Sequence, residues 1–200
     1  GRFFEAHDVT GTFVLHDEVA ATTSRYNEAR AATPLIPAST FKVFNSMAAL
    51  DAGAVRDIDD VIRWDGTVRG NAAWDQDQRM RDAFQRSTVW FYQELARRIG
   101  EPQMRALLER EGYGNADTGG GIDQFWLSGE LRISADEQVD FLRRLRARQL
   151  GFSPRAMDAV TELLVMEQGA DSRGAWVLRG KTGWARPGGP QVGWLVGWLE

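Results

Sequence analysis

The apolar pattern of this chain changes period twice along its 200 residues, and that change limits the fold more than any other feature. Residues 11–16 and 19–27 read as two strands joined at Asp17-Glu18. After breaks at Pro34 and Pro37, Phe41, Phe44, Met47, Ala48 and Leu50 recur at helical spacing, starting near Ser39 and stopping at Gly53. Residues 54–76 are loop-rich, with Trp64 and Trp74 as packing anchors. Helical spacing returns over 88–99 and again after Pro102, which suits a first helical turn. Residues 112–129, with Gly119-Gly120-Gly121, form an ordered loop; no lysine follows the glycines, so they make a turn rather than a phosphate loop. Ser134-Ala135-Asp136-Glu137 reads as a capping box for a helix reaching about Gln149, and a further helix runs from Pro154 to about Gln168. Strand character then resumes over 175–183 and 191–199, around Pro187-Gly188-Gly189-Pro190. The run 192–199 is apolar almost throughout, as expected of a strand covered on both faces. Strands at both ends with helices between predict one α/β (α+β) domain over 1–200 in two lobes. The sheet lobe takes about 1–38 and 154–200, and the helical lobe about 39–153.

Composition excludes several functions. A net charge of −4 gives no electrostatic case for nucleic-acid binding, and the basic run at 143–148 reads as a solvated helix end. No apolar run has the roughly 18 residues of a membrane span. Residues 1–8 do not resemble a signal peptide, which leaves a cytoplasmic or a processed protein. Without cysteine there is no thiol nucleophile or Cys-built metal site, and two isolated histidines argue against zinc. Of 24 basic residues only Lys42 and Lys181 are lysine. Arginine is in effect always protonated, whereas a buried lysine can lose its proton and act as a base. A serine hydrolase here therefore favours lysine as base, although His7 and His16 leave a histidine base open.

Ser39 and Lys42 stand i, i+3 at a helix start, which puts both on one face. Ser39 falls where unpaired backbone N–H groups favour developing negative charge. Ser87 can cap the helix that follows it, and Trp126 is one of eight tryptophans and can be a core aromatic.

Five motifs in order then carry a resemblance. Ser39-Thr40-Phe41-Lys42, Ser87-Thr88-Val89, Tyr113-Gly114-Asn115, Phe125-Trp126-Leu127 and Lys181-Thr182-Gly183 make the chain similar to the class D (oxacillinase-type) serine β-lactamases of the penicilloyl-serine transferase superfamily. S-x-V in place of S-D-N, with no E-x-x-L-N segment, disfavours the class A relatives. The resemblance implies an antiparallel sheet flanked by helices beside an all-helical lobe, and hydrolysis of penicillin-type antibiotics. Ser39 would be the nucleophile and Lys42, N-carboxylated by carbon dioxide, the general base. Phe41, Val89, Phe125 and Leu127 can supply an apolar wall, and Trp126 a donor for the carbamate. Ser87 would relay a proton and Lys181 hold positive charge near it. Thr182, Gly183 and Trp184 would line the substrate, with backbone N–H groups of Ser39 and Trp184 as the oxyanion hole.

No cofactor beyond that carbon dioxide and no metal are implied. The partner is a small β-lactam for a monomer or homodimer, acting in the periplasm or secreted. Class D enzymes continue past this point with a strand between the last strand and the N-terminal one, and with a helix. The resemblance thus implies a longer natural protein, or a second chain that supplies the missing pieces. Two rivals share the acylation motifs: a β-lactam sensor domain that keeps its acyl group, and a D,D-peptidase.

Overall fold

The computed structural model describes residues 1–172, 174–186 and 191–200. The predicted turn at 187–190 lies outside them. After a short helix α1 (Arg2–Ala6), strands β1 (Phe13–Asp17) and β2 (Thr22–Tyr26) form an antiparallel ribbon with Phe13 opposite Tyr26 and Asp17 opposite Thr22. The second strand starts at Thr22 rather than 19. The Asp17 carboxylate accepts from the backbone N–H of Val19 and Ala20, both at 2.9 Å, and bends that stretch into the turn.

Helix α2 (Glu28–Ala31) leads to a 3-10 turn, Ala38–Phe41, which runs into helix α3 (Lys42–Asp51). A two-residue ribbon pairs β3 (Val61–Ile62), inside the predicted loop region, with β4 (Gln78–Arg79), just after it. Helices α4 (Met80–Gln85), α5 (Val89–Ile99), α6 (Glu101–Glu111), α7 (Ala135–Arg146) and α8 (Pro154–Leu163) follow. Helix α4 was not anticipated: its two turns are too short to establish a period. The expected capping box is present on α7. Ser134 Oγ accepts from Glu137 N at 3.2 Å while Glu137 Oε2 accepts from Ser134 N at 2.7 Å. Helix α6 carries Pro102 in its first turn and ends on Gly112 with φ 59°, a left-handed stop that favours glycine.

Helix α3 is the axle of the helical lobe, with every residue from Lys42 to Ala49 buried. Phe44 lies within 6.0 Å, ring to ring, of Phe41, Tyr113, Phe141 and Phe152. Truncating such a residue to alanine costs about 3–5 kcal/mol.

The last helix is shorter than the sequence reading. Helix α8 stops at Leu163, and β5 (Val165–Asp171) begins where the helix was expected to continue. Pairing with β6 (Gly174–Ala185), Asp171 opposite Gly174 to Val165 opposite Arg179, decides the outcome over local propensity. Strand β6 then pairs along β7 (Val192–Leu199), giving an antiparallel β5-β6-β7 sheet. The expectation that 192–199 is covered on both faces is corrected. Burial alternates along β7, so Val192 and Val196 face the core while Leu195 is 69% and Leu199 66% exposed.

Helix α7 touches both β1 and β7, yet these strands do not pair with each other. Between them runs a groove of about 680 Å³ lined by Phe13, Leu15, Val139, Leu142, Leu195 and Trp198 among others. The antiparallel sheets and the helical lobe agree with the predicted two-lobe α+β architecture.

Candidate active site

The site forms where the 3-10 turn, the α4–α5 junction and the second half of β6 meet. Strand β5 starts only at Val165, after α8, and its last pair on β6 is Arg179. Beyond Gly180, β6 is paired only with β7, so its other edge is free to border the 3-10 turn. Gly183 makes that approach possible. A Cβ there would lie 2.9 Å from Pro37 O, 3.0 Å from Thr40 Cγ2 and 3.1 Å from Thr40 N. The wall of the turn that carries Ser39 is thus backbone against backbone.

Ser39 is half-buried in that turn and Lys42 lies wholly beneath it, with Lys42 Nζ 2.8 Å from Ser39 Oγ. Burial holds the Lys42 amine well below its ordinary pKa, and the nearby positive charge of Lys181 pushes the same way. The Tyr92 ring, its centroid 5.2 Å from Lys42 Nζ, favours the ammonium instead. A neutral amine beside a serine hydroxyl has a lone pair ready to take its proton.

Trp126 is fully buried, stacks obliquely on Phe41 at 5.3 Å, and its indole N–H finds no acceptor among the described residues. An unpaired buried donor costs about 1–3 kcal/mol, so this one is available to an anion that arrives later. Its backbone carbonyl accepts from Ala38 N at 3.0 Å, which ties the tryptophan loop to the nucleophile's turn.

Ser87 and Lys181 form the second pair, with Lys181 Nζ 3.0 Å from Ser87 Oγ and 3.0 Å from Thr182 O. Burial lowers the Lys181 pKa to about 8, and its ammonium also lies 5.7 Å from the Phe84 ring centroid. Ser87 does not cap α5. Thr88 holds the cap position, its hydroxyl turned to Gln78 Oε1 at 2.9 Å, while Ser87 itself sits at φ 55°. A non-glycine residue in that region is strained, and such strain gathers at functional sites.

The other expected site residues are placed less centrally. Val89 opens α5 and Leu127 packs on the core edge; both are half-buried. Thr182 is exposed, on the strand face opposite Lys181 and Gly183. The Trp184 side chain is 59% exposed, bonds Gln191 Oε1 at 3.1 Å and lies under Arg186 at 4.4 Å. Its indole lies on the strand face opposite Gly183.

Tyr92, Phe84, Thr40 and Gln138 were not foreseen as site neighbours. Tyr92 carried a usable signal, since it stands i+3 from Val89 on α5 and so shares its face. Among the described residues no group of acidic residues and histidines could hold a metal ion.

The description "penicillin binding protein transpeptidase domain" matches residues 11–200. Across its full length the chain is 44% identical to the β-lactamase OXA-20 of Pseudomonas aeruginosa, spanning 73% of that protein. It is 41% identical to OXA-48 of Klebsiella pneumoniae over 98% of this chain and 73% of that one. The solved class D β-lactamase YbXI from Nostoc superposes with a TM-score of 0.95 at 42% identity, over the whole of this chain and 83% of that one. Class D FUS-1 from Fusobacterium nucleatum does so at 0.94 and 37% identity, covering 81% of that chain.

Proposed function

The chain belongs to the class D β-lactamases of the penicillin-binding transpeptidase family, and on that premise we propose that it opens the β-lactam ring by acylation on Ser39, with the proton taken by a basic group at Lys42. One observation carries this reading: a lysine that is 0% exposed and stands 2.8 Å from a serine hydroxyl.

Ser39 Oγ loses its proton toward Lys42 and bonds to the lactam carbonyl carbon. The C–N bond breaks, and the leaving nitrogen receives a proton through Ser87, which lies 3.0 Å from Lys181. Backbone N–H groups of Ser39 and Trp184 stabilise the oxyanion, each donor worth about 2.7–4 kcal/mol in comparable sites. Lys181 draws in the substrate carboxylate, with Thr182 as a further donor. Water then attacks the acyl carbon, the bond to Ser39 Oγ breaks, and the serine regains its proton.

The residues around Lys42 fit a carbamate. Its lowered pKa favours the neutral amine that carbon dioxide needs, and Trp126 Nε1 is a buried donor without an acceptor among the described residues. Carbon dioxide bound there supplies an anionic proton acceptor to both halves of the cycle.

Chromogenic cephalosporin turnover read beside intact mass tests the reading. Sustained hydrolysis with no lasting adduct is expected of the parent. Lys42→Arg should not turn over, because guanidinium stays protonated at neutral pH. A single burst that leaves a persistent adduct would instead identify a sensor domain, and an active Lys42→Arg would mean that another group is the base.

A further inference from the structure

Ser39 is presented by backbone in an unfavourable shape. Ala38, immediately before it, has φ 50° and is buried, in the left-handed region that disfavours any residue with a Cβ. Such a conformation persists only where the surroundings over-determine it. Besides the turn's own bond from Thr40 N to Pro37 O at 3.2 Å, three holds are present. Ala38 N donates to Trp126 O at 3.0 Å, β6 packs flat on the turn at Gly183, and Thr40 Oγ1 donates to Pro37 O at 2.8 Å.

The third hold extends further. Gln138, 2% exposed on the first turns of α7, donates its Nε2 to Thr40 Oγ1 at 2.8 Å. A hydroxyl that accepts on one side and donates on the other has its single proton fixed in direction. Helix α7 is itself fixed just before Gln138 by the Ser134–Glu137 capping box. Among the described residues no hydrogen bond joins Gln138 to Ser39 or Lys42, and Thr40 is its link to the turn that carries Ser39.

We infer that Gln138 is a positioning residue for the nucleophile. Through Thr40 Oγ1 it holds the Pro37–Thr40 backbone in the strained shape that aims Ser39 Oγ at Lys42 Nζ. Without the amide donor the Thr40 hydroxyl is free to rotate off Pro37 O, Ala38 can relax toward negative φ, and Ser39 swings out of line. Misplacement by about 1 Å can lower a rate by about 100-fold.

This inference rests on Ser39 being the acylated residue, so the experiment reads acylation itself: the time course of covalent labelling by a fluorescent penicillin, with thermal unfolding alongside. Gln138→Met, close in shape but without the donor, should label 10- to 100-fold more slowly at saturating penicillin, with half-saturation within threefold of the parent. Thr40→Val should slow labelling to the same degree, while Thr40→Ser, which keeps the hydroxyl, recovers most of the rate. The double variant Gln138→Met/Thr40→Val should be no slower than either single one. Folded Gln138→Met that labels within threefold of the parent overturns the inference, as does a double variant whose losses multiply. Should Gln138→Met not fold, equal labelling of Thr40→Val and Thr40→Ser overturns it in the same way. A parent that takes no label at all defeats the acylation reading and this inference together; a labelled parent with indifferent variants defeats only the inference.

Discussion

Replacing Gly183 by alanine tests the close approach of β6 to the nucleophile's turn. The added methyl would meet Pro37 O at 2.9 Å, Thr40 Cγ2 at 3.0 Å and Thr40 N at 3.1 Å. Comfortable contact between heavy atoms begins near 3.5 Å, so the strand and the turn must part by about half an ångström. Two of the three atoms are backbone, and the turn is held by Trp126 O and by Thr40 Oγ1 on Pro37 O, so neither side yields easily. Overpacking of this kind costs about 1–3 kcal/mol. At 2–4 °C per kcal/mol for a chain of this size, a mid-range 2 kcal/mol lowers Tm by roughly 4–8 °C. The same displacement moves Lys181 away from Ser39. If about 1 Å costs about 100-fold, half of that should lower kcat/KM by about tenfold. Gly193→Ala is the control. Gly193 lies on β7 opposite Trp184, and a Cβ there has nothing within 4 Å. It should stay within about 0.5 kcal/mol of the parent. Differential scanning fluorimetry and cephalosporin hydrolysis read both effects. If Gly183→Ala keeps the parent's Tm and a kcat/KM within twofold, the packing account is wrong.

Three further outcomes are expected. Because burial lowers Lys181 to about 8, kcat/KM should fall as pH rises through that value and its charge is lost. Stability should move the other way: the unfolded lysine, near pKa 10.4, holds more protons than the folded one between about pH 8 and 10, so this group's contribution grows more favourable across that window. A kcat/KM flat to pH 9.5 would contradict the first part, and a two-pH denaturant titration checks the second. Ser87→Gly should relieve the strain at φ 55°, raising Tm by about 2–4 °C for about 1 kcal/mol, while kcat falls about 100-fold with the lost hydroxyl; a lowered Tm would show that Ser87 is not strained. Trp126→Phe keeps a ring but removes the unpaired N–H, so deacylation should slow and bicarbonate should restore part of it. Kinetics identical to the parent's, with or without bicarbonate, would remove Trp126 from the base's surroundings.

What could be read from the sequence was what is encoded locally. The Ser134–Glu137 cap, Pro102 in its helix's first turn and the Ser39/Lys42 spacing each act within a few residues, and each stands as expected. The end of α8 did not. The stretch from Glu162 to Met166 suits either helix or strand, and β5 is mostly exposed with weak alternation, so pairing with β6 settles it. Strand β7 shows a related limit: eight apolar and glycine residues do not declare which face a neighbour will cover. In the site, Ser87 and Lys181 were recognisable by motif and Tyr92 had only its spacing from Val89, but no local pattern joins Thr40 to Gln138. Those contacts arise only when α5 packs on α3 and α7 brings Gln138 to the 3-10 turn.

With 22 of its 24 cationic side chains arginine, the protein carries its only two ε-amines, Lys42 and Lys181, inside the catalytic cleft and shielded from water. Within residues 1–200, reagents that acylate lysine side chains therefore find no open target, and isotope-enriched lysine would place its labels in the cleft alone.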